Sequence, residues 1–179
     1  MYRRLQLDTQ RAMNILTLSN TFELRILTGT DIPELLSLCL ANPQYYRYCP
    51  PAPDEKSLYA DMHALPPHKT ADDKYYIGYF DHGELIAVLD LITAYPDQDT
   101  AFIGFFMMKK SRQGRNEGSA IIRELCVNLQ KEGFKHVRLG WVQGNLQAEH
   151  FWHKNGFQET GVIAKTERYD IVIAQKELL

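Results

Sequence analysis

Residues 101–120 read Ala101-Phe102-Ile103-Gly104-Phe105-Phe106-Met107-Met108-Lys109-Lys110-Ser111-Arg112-Gln113-Gly114-Arg115-Asn116-Glu117-Gly118-Ser119-Ala120. An apolar run passes into a polar, glycine-containing turn and re-emerges as the helical pattern Ile121, Ile122, Leu125, Cys126, Leu129. That pattern is strand, turn, helix. The first turn of a helix leaves about four backbone N–H groups without partners, and its dipole adds about half a positive charge, so backbone alone can hold an anion there. Gly114 and Gly118 let the backbone approach a ligand closely, Arg112 and Arg115 add positive charge, and Ser119 offers a hydroxyl. The stretch also suits a plain turn, so the rest of the chain has to decide.

Gln113-Gly114-Arg115-Asn116-Glu117-Gly118-Ser119-Ala120 resembles the pyrophosphate-binding motif of the GNAT superfamily, the acyl-CoA-dependent N-acetyltransferases. The core of that motif is Gln or Arg, two residues, Gly, one residue, then Gly or Ala. Asn116 stands where the first glycine of the core is usual, and Asn is the best non-glycine substitute if the backbone there has positive φ. Glu117 takes a position where an apolar residue is common and brings a negative charge toward the phosphate. Downstream, Asn145-Leu146-Gln147-Ala148-Glu149-His150-Phe151-Trp152-His153-Lys154-Asn155-Gly156-Phe157 resembles the family's second motif: Asn, two residues, Ala, two residues, an aromatic pair, then Gly-Phe. The resemblance runs from about Phe22 to the C-terminus and is closest to small bacterial members with Phe-Trp in the second motif.

This resemblance implies a single α/β domain with a mixed, mostly antiparallel sheet flanked by helices on both faces. It implies transfer of an acetyl group from acetyl-CoA to a primary amine of a small molecule or peptide by direct attack. The alternative is a non-catalytic, regulatory module of the same fold that only binds acyl-CoA. The cofactor residues it implies are the backbone of Phe106, Met107 and Met108, the turn residues Gln113, Gly114, Arg115, Asn116, Glu117, Gly118 and Ser119, and Asn145, Phe151 and Trp152. Asn145 serves equally well as a helix N-cap. Tyr45, Tyr46 and Tyr48 fall in the loop between two early helices that borders the acceptor cleft in this family, and they suit packing of those helices as well. A homodimer is compatible with the resemblance.

The catalytic groups are less evident. Some family members place a glutamate on the central strand, but Ala101–Met108 contains no ionisable residue. Asp90, in the apolar run Leu85-Ile86-Ala87-Val88-Leu89-Asp90-Leu91-Ile92, is the anomaly. Strict alternation puts it on one face with Ile86, Val88 and Ile92, and a carboxylate among apolar neighbours either finds donors or has a raised pKa that suits a base. Capping a neighbouring loop or simply facing water is its other reading. Tyr95, beside Pro96, is either a proton donor or a packing residue. Trp152 stands where many family members have the tyrosine that protonates the leaving thiolate, and an indole N–H is no acid near neutral pH.

Outward from these motifs, 179 residues with 45% apolar and 23% charged content suit one full-cored domain, taken as residues 21–179 after an N-terminal extension over residues 1–20. A net charge of −2 leaves no electrostatic footprint for nucleic acid or an anionic membrane. No apolar stretch is long enough to span a bilayer and residues 1–6 lack the apolar segment of a secretory signal, so a cytoplasmic location is expected. Cys39, Cys49 and Cys126, without metal-ligand spacing, are expected to be reduced thiols with no metal.

Overall fold

The computed structural model describes residues 13–178. Of the extension expected over residues 1–20, residues 1–12 lie outside that range. Residues 13–20 pack on the domain: a single 3-10 turn, Ile15–Leu18, buries Leu18 completely in the main core. The Ser19 and Thr21 hydroxyls then donate to the two carboxylate oxygens of Glu124 at 2.6 and 2.8 Å.

The apolar–polar alternation yields strands β1 (Glu23–Ile26), β2 (Lys74–Asp81), β3 (Glu84–Ile92), β4 (Thr100–Met108), β5 (His136–Val142), β6 (Gln158–Lys165) and β7 (Asp170–Glu177). They form one sheet in the order β1-β2-β3-β4-β5-β7-β6, in which only β4 and β5 run parallel. The β2–β3 hairpin turns through His82 and Gly83, both at positive φ, the geometry a two-residue connection needs to match strand twist.

Helices cover both faces. On one lie α1 (Ile32–Leu40), α2 (Pro43–Tyr48) and α3 (Glu55–His63), which bury Leu35, Leu38, Leu58 and Met62 against Tyr76, Val88 and Met107. The region of Tyr45, Tyr46 and Tyr48, read above as a loop, is the short helix α2, with Pro43 in its first turn where a missing N–H costs nothing. An Asp54–Ser57 capping box starts α3. On the other face α4 (Glu117–Lys131) and α5 (Leu146–Lys154) bury Ile121, Ile122, Leu125, Leu129 and Trp152 against Ile77, Leu89, Leu91, Val137 and Leu139.

Two bulges set which side chains face which layer. Tyr79 pairs with Ala87 but Phe80 with Leu85, so Ile86 is the extra residue and the parity of β3 changes there. Ile86 therefore joins the α4–α5 core and Leu85 the α1–α3 core, the reverse of the strict alternation read from sequence. Asp90 pairs with Phe105 and Leu91 with Ile103, so Gly104 is the extra residue of β4. Beyond that bulge β4 loses its parallel partner: its pairing with β5 spans Thr100–Ile103 only, while β5 continues to Val142 alongside β7. The sheet is split between Gly104–Met108 and the end of β5.

Candidate active site

The edge of β4 that faces the split carries unpaired backbone. Lys109 donates its N–H to Ile86 across the β3 side at 2.7 Å, and strand alternation then turns the polar groups of Met108 and Phe106 toward the gap. The Met108 carbonyl is occupied, accepting from Asn42 Nδ2 at 3.2 Å and Gln113 Nε2 at 3.1 Å. Both acceptor sites of that carbonyl are thereby filled. Met107 points away, into the α1–α3 core.

Directly after β4 the chain makes the glycine-containing turn. Asn116 has φ 61° and ψ 4°, the left-handed conformation that its place in the glycine motif demands. Gly114 has φ 76°. Among the described residues, none of the backbone N–H groups from Gly114 to Ser119 donates to a protein acceptor; the α4 ladder begins with Ala120 donating to the Asn116 carbonyl at 3.0 Å. Gly118 faces Met108 and Phe151, and a Cβ there would lie 3.3 Å from Met108 Cγ and 3.4 Å from Phe151 Cε2. The result is a cradle of donors on a floor of β4 and α5.

The charges around the turn differ from the sequence reading. Arg112 is committed to two carboxylates, Asp81 through Nη2 and Glu117 through Nε, each at 2.7 Å. It neutralises Glu117 and is not a free cation for a ligand. Gln113 uses its side chain on Asn42 Oδ1 at 2.7 Å, so it braces the turn and leaves only backbone to offer. Arg115 is exposed, and Lys154 from α5 reaches Asn116 Oδ1 at 2.7 Å, a basic group at the turn that the sequence reading missed. Because the turn fixes Asn116 by its φ, Asn116→Gly is expected to leave stability nearly unchanged. Asn116→Val is expected to cost about 1–2 kcal/mol, measured by chemical denaturation.

In α5, Asn145 accepts the Ala148 N–H at 3.2 Å and caps the helix. Phe151 stacks on Phe106 at 5.9 Å between ring centroids, beside Gly118. Trp152 turns inward and packs on Phe157 in the core.

At the other end of the split, against the Gly104 bulge, a cavity of about 630 Å³ opens under the α1–α3 layer. Its lining includes Tyr45, Tyr46, Asp90 and Tyr95, four of the residues singled out from sequence, and excludes Tyr48. Tyr45 packs edge-on against both Tyr46 and Phe105, so it lines the cavity and secures α2 together. Tyr95 sits edge-on to Phe102.

Asp90 is nine-tenths buried. One carboxylate oxygen, Oδ2, accepts from Lys74 Nζ at 2.8 Å, and the other, Oδ1, is buried without a partner. Burial raises its pKa above the usual carboxylate value, and the Lys74 ammonium opposes that rise. Gly104 makes room for it: a Cβ on that residue would stand 2.7 Å from Asp90 Oδ2. Lys74 also donates to the Ala64 carbonyl at 2.9 Å and lies 5.6 Å from the centre of the Tyr76 ring. Asp61 reaches the same lining from α3, its carboxyl raised by loss of water and lowered in part by Lys74. Lys74, Asp61, Tyr76 and Tyr169 were not found from sequence. Tyr169, after the β6–β7 turn, comes from the far end of the chain, and no local pattern marks it.

The split, the cradle and the cavity lie in series along β4. Solved structures share this architecture: an acetyltransferase from Thermus thermophilus superposes with a TM-score of 0.69 at 19% identity, over 88% of this chain and 97% of that one. The ribosomal-protein-S18-alanine N-acetyltransferase from Escherichia coli gives 0.64 at 17% identity, over 87% and 93%. The PaiA N-acetyltransferase from Thermoplasma acidophilum, in complex with coenzyme A, gives 0.64 at 17%, over 88% and 99%. No curated protein matches the sequence. The family model described as Acetyltransferase (GNAT) family matches residues 38–157, two-thirds of the chain and every element from α2 to α5 that builds the site. This protein belongs to the GNAT family of acetyltransferases.

Proposed function

We propose that the protein transfers an acetyl group from acetyl-CoA to a primary amine by direct attack. One observation carries this reading: a single strand edge, Gly104–Met108, leads from a cradle of unpartnered N–H groups at one end to a buried, half-satisfied carboxylate in a cavity at the other. The cradle from Gly114 to Ser119, with Arg115 and Lys154, fits a pyrophosphate and its neighbouring phosphate. The gap-facing backbone of Phe106 fits an extended amide-bearing arm, as an added strand would. Asn145 and Phe151 would flank that arm. Acetyl-CoA supplies the activated acyl group.

The protein then does three things. The track positions the acyl carbon beside the Gly104 bulge, and positioning alone can lower the barrier by about 7–11 kcal/mol. The Asp90 carboxylate accepts a proton from the incoming ammonium and leaves the free amine that attacks. Tyr45, Tyr46 and Tyr95 surround that amine and keep water out. Trp152 is buried in the core and has no acidic proton, so the departing thiolate, with a pKa near that of free cysteine, about 8.5, leaves without a tyrosine acid.

The Lys74 contact and the missing acid favour one rival, a module that binds acyl-CoA without turnover. Calorimetric titration with coenzyme A and acetyl-CoA, followed by assay of thiol release over a panel of amines, separates the two. Binding with amine-dependent release supports the transferase, binding without release supports the module, and no binding overturns both.

A further inference from the structure

The acceptor cavity has a definite charge and surface. Its ionisable lining, tyrosine and cysteine apart, is Asp61, Asp90 and Lys74. Two carboxylates against one ammonium leave the lining with one uncompensated negative charge. Lys74 is already engaged with Asp90, the Ala64 carbonyl and the Tyr76 ring, so no free cation remains among the lining residues to receive an acid group on a ligand. Around these charges stand Tyr45, Tyr46, Tyr76, Tyr95, Phe102 and Phe105. An ammonium between carboxylate and ring faces is well placed electrostatically, and Lys74 itself shows that arrangement in the same cavity.

Two segments at the rim of the cavity also meet. Arg168, in the β6–β7 turn, donates from Nη1 to the Pro50 carbonyl at 3.1 Å, and the neighbouring Tyr169 lines the cavity together with Cys49. This contact ties the turn to the segment between α2 and α3. A polypeptide passing between them would have to break it, whereas a small molecule within about 630 Å³ would not.

Resting on the acetyltransferase reading, we propose that the acceptor is a small monocationic amine with an aromatic or bulky apolar body and no acid group, an arylalkylamine in chemical class. One ammonium balances the lining. A carboxylate on the same body would enter a low-dielectric site without a partner, and a second ammonium would leave an excess positive charge; both carry a desolvation cost that the monoamine avoids.

The test holds the body constant. 2-Phenylethylamine, phenylalanine, 4-(aminomethyl)phenethylamine and a Phe-Ala dipeptide are compared for acetylation and for binding to the coenzyme A-loaded protein. The expected kcat/KM for 2-phenylethylamine exceeds that for phenylalanine by roughly 100-fold and that for the diamine by roughly 10-fold, the range that an unpaired polar group in a fitted site produces. Asp61→Asn, which removes the uncompensated charge, is expected to narrow the preference over phenylalanine. Equal or better use of phenylalanine, the diamine or the dipeptide overturns the acceptor class and leaves the transferase standing. Selective binding of 2-phenylethylamine without acetylation supports the class and overturns the transferase.

Discussion

Gly118→Asp is expected to weaken coenzyme A binding by more than about 100-fold while the protein remains folded. The residue sits in the first turn of α4 with its N–H among the unpartnered donors, and the Cβ it lacks would already be tight against Met108 and Phe151. Aspartate adds to that crowding a carboxylate that occupies the donors and repels phosphate. The same charge is favourable to the helix itself, since an anion near a helix N-terminus contributes about 0.3–1 kcal/mol, so part of the packing strain is offset. A large loss of affinity at nearly constant Tm is therefore the signature. Gly118→Ala separates the causes, because it meets the same contacts without the charge and should cost less than about tenfold, or 1.4 kcal/mol. Unchanged affinity in the aspartate variant would remove the turn from the cofactor site.

That turn was largely legible in the sequence, and the cavity under α1–α3 was not, for reasons that lie in the backbone. The turn is a local motif: glycines, a left-handed Asn and the helix that follows occupy consecutive positions, and Asn116 has the φ the motif requires. Arg112 misled because its partners include Asp81, 31 residues away on β2. The split in the sheet depends on Gly104 being a bulge, and a glycine in an apolar strand does not announce whether it bulges.

Lys74 shows the limit most clearly. Counting back from the hairpin turn without the Ile86 bulge pairs Asp90 with Tyr75 and sends Lys74 to the opposite face. With the bulge, Asp90 pairs with Tyr76, and Lys74 lies diagonal to it on the same face. A slip of one residue exchanges the faces of a strand, so one unforeseen bulge decides whether Asp90 has a counter-ion. Tyr45 and Tyr46 were found as a cluster, but the α2 helix, not a loop, presents them, and it leaves Tyr48 outside the cavity.

Asp90→Asn is expected to lower turnover by about 100- to 10,000-fold, the range for loss of a positioned proton acceptor, and to abolish the acid limb of the pH profile. The acceptor is competent only when ionised. Burial raises its pKa and Lys74 opposes, so turnover in the unaltered protein rises with pH through a value above the ordinary 3.8, with Lys74, Asp61 and Tyr76 as the charged or titratable neighbours. The same raised value has a stability consequence: between the unfolded and folded pKa the native state binds more protons, so stability falls as pH rises through that window, and the variant loses this slope. Removing the carboxylate also strands Lys74, whose side chain is only 6% exposed, and a loss of activity could follow from that alone. The double variant Lys74→Met/Asp90→Asn separates the effects, because it removes both charges from the wall. Stability near that of the unaltered protein with turnover still absent and no acid limb places the proton on Asp90. Recovery of turnover in the double variant would make the pair a structural element of the cavity and move the base elsewhere.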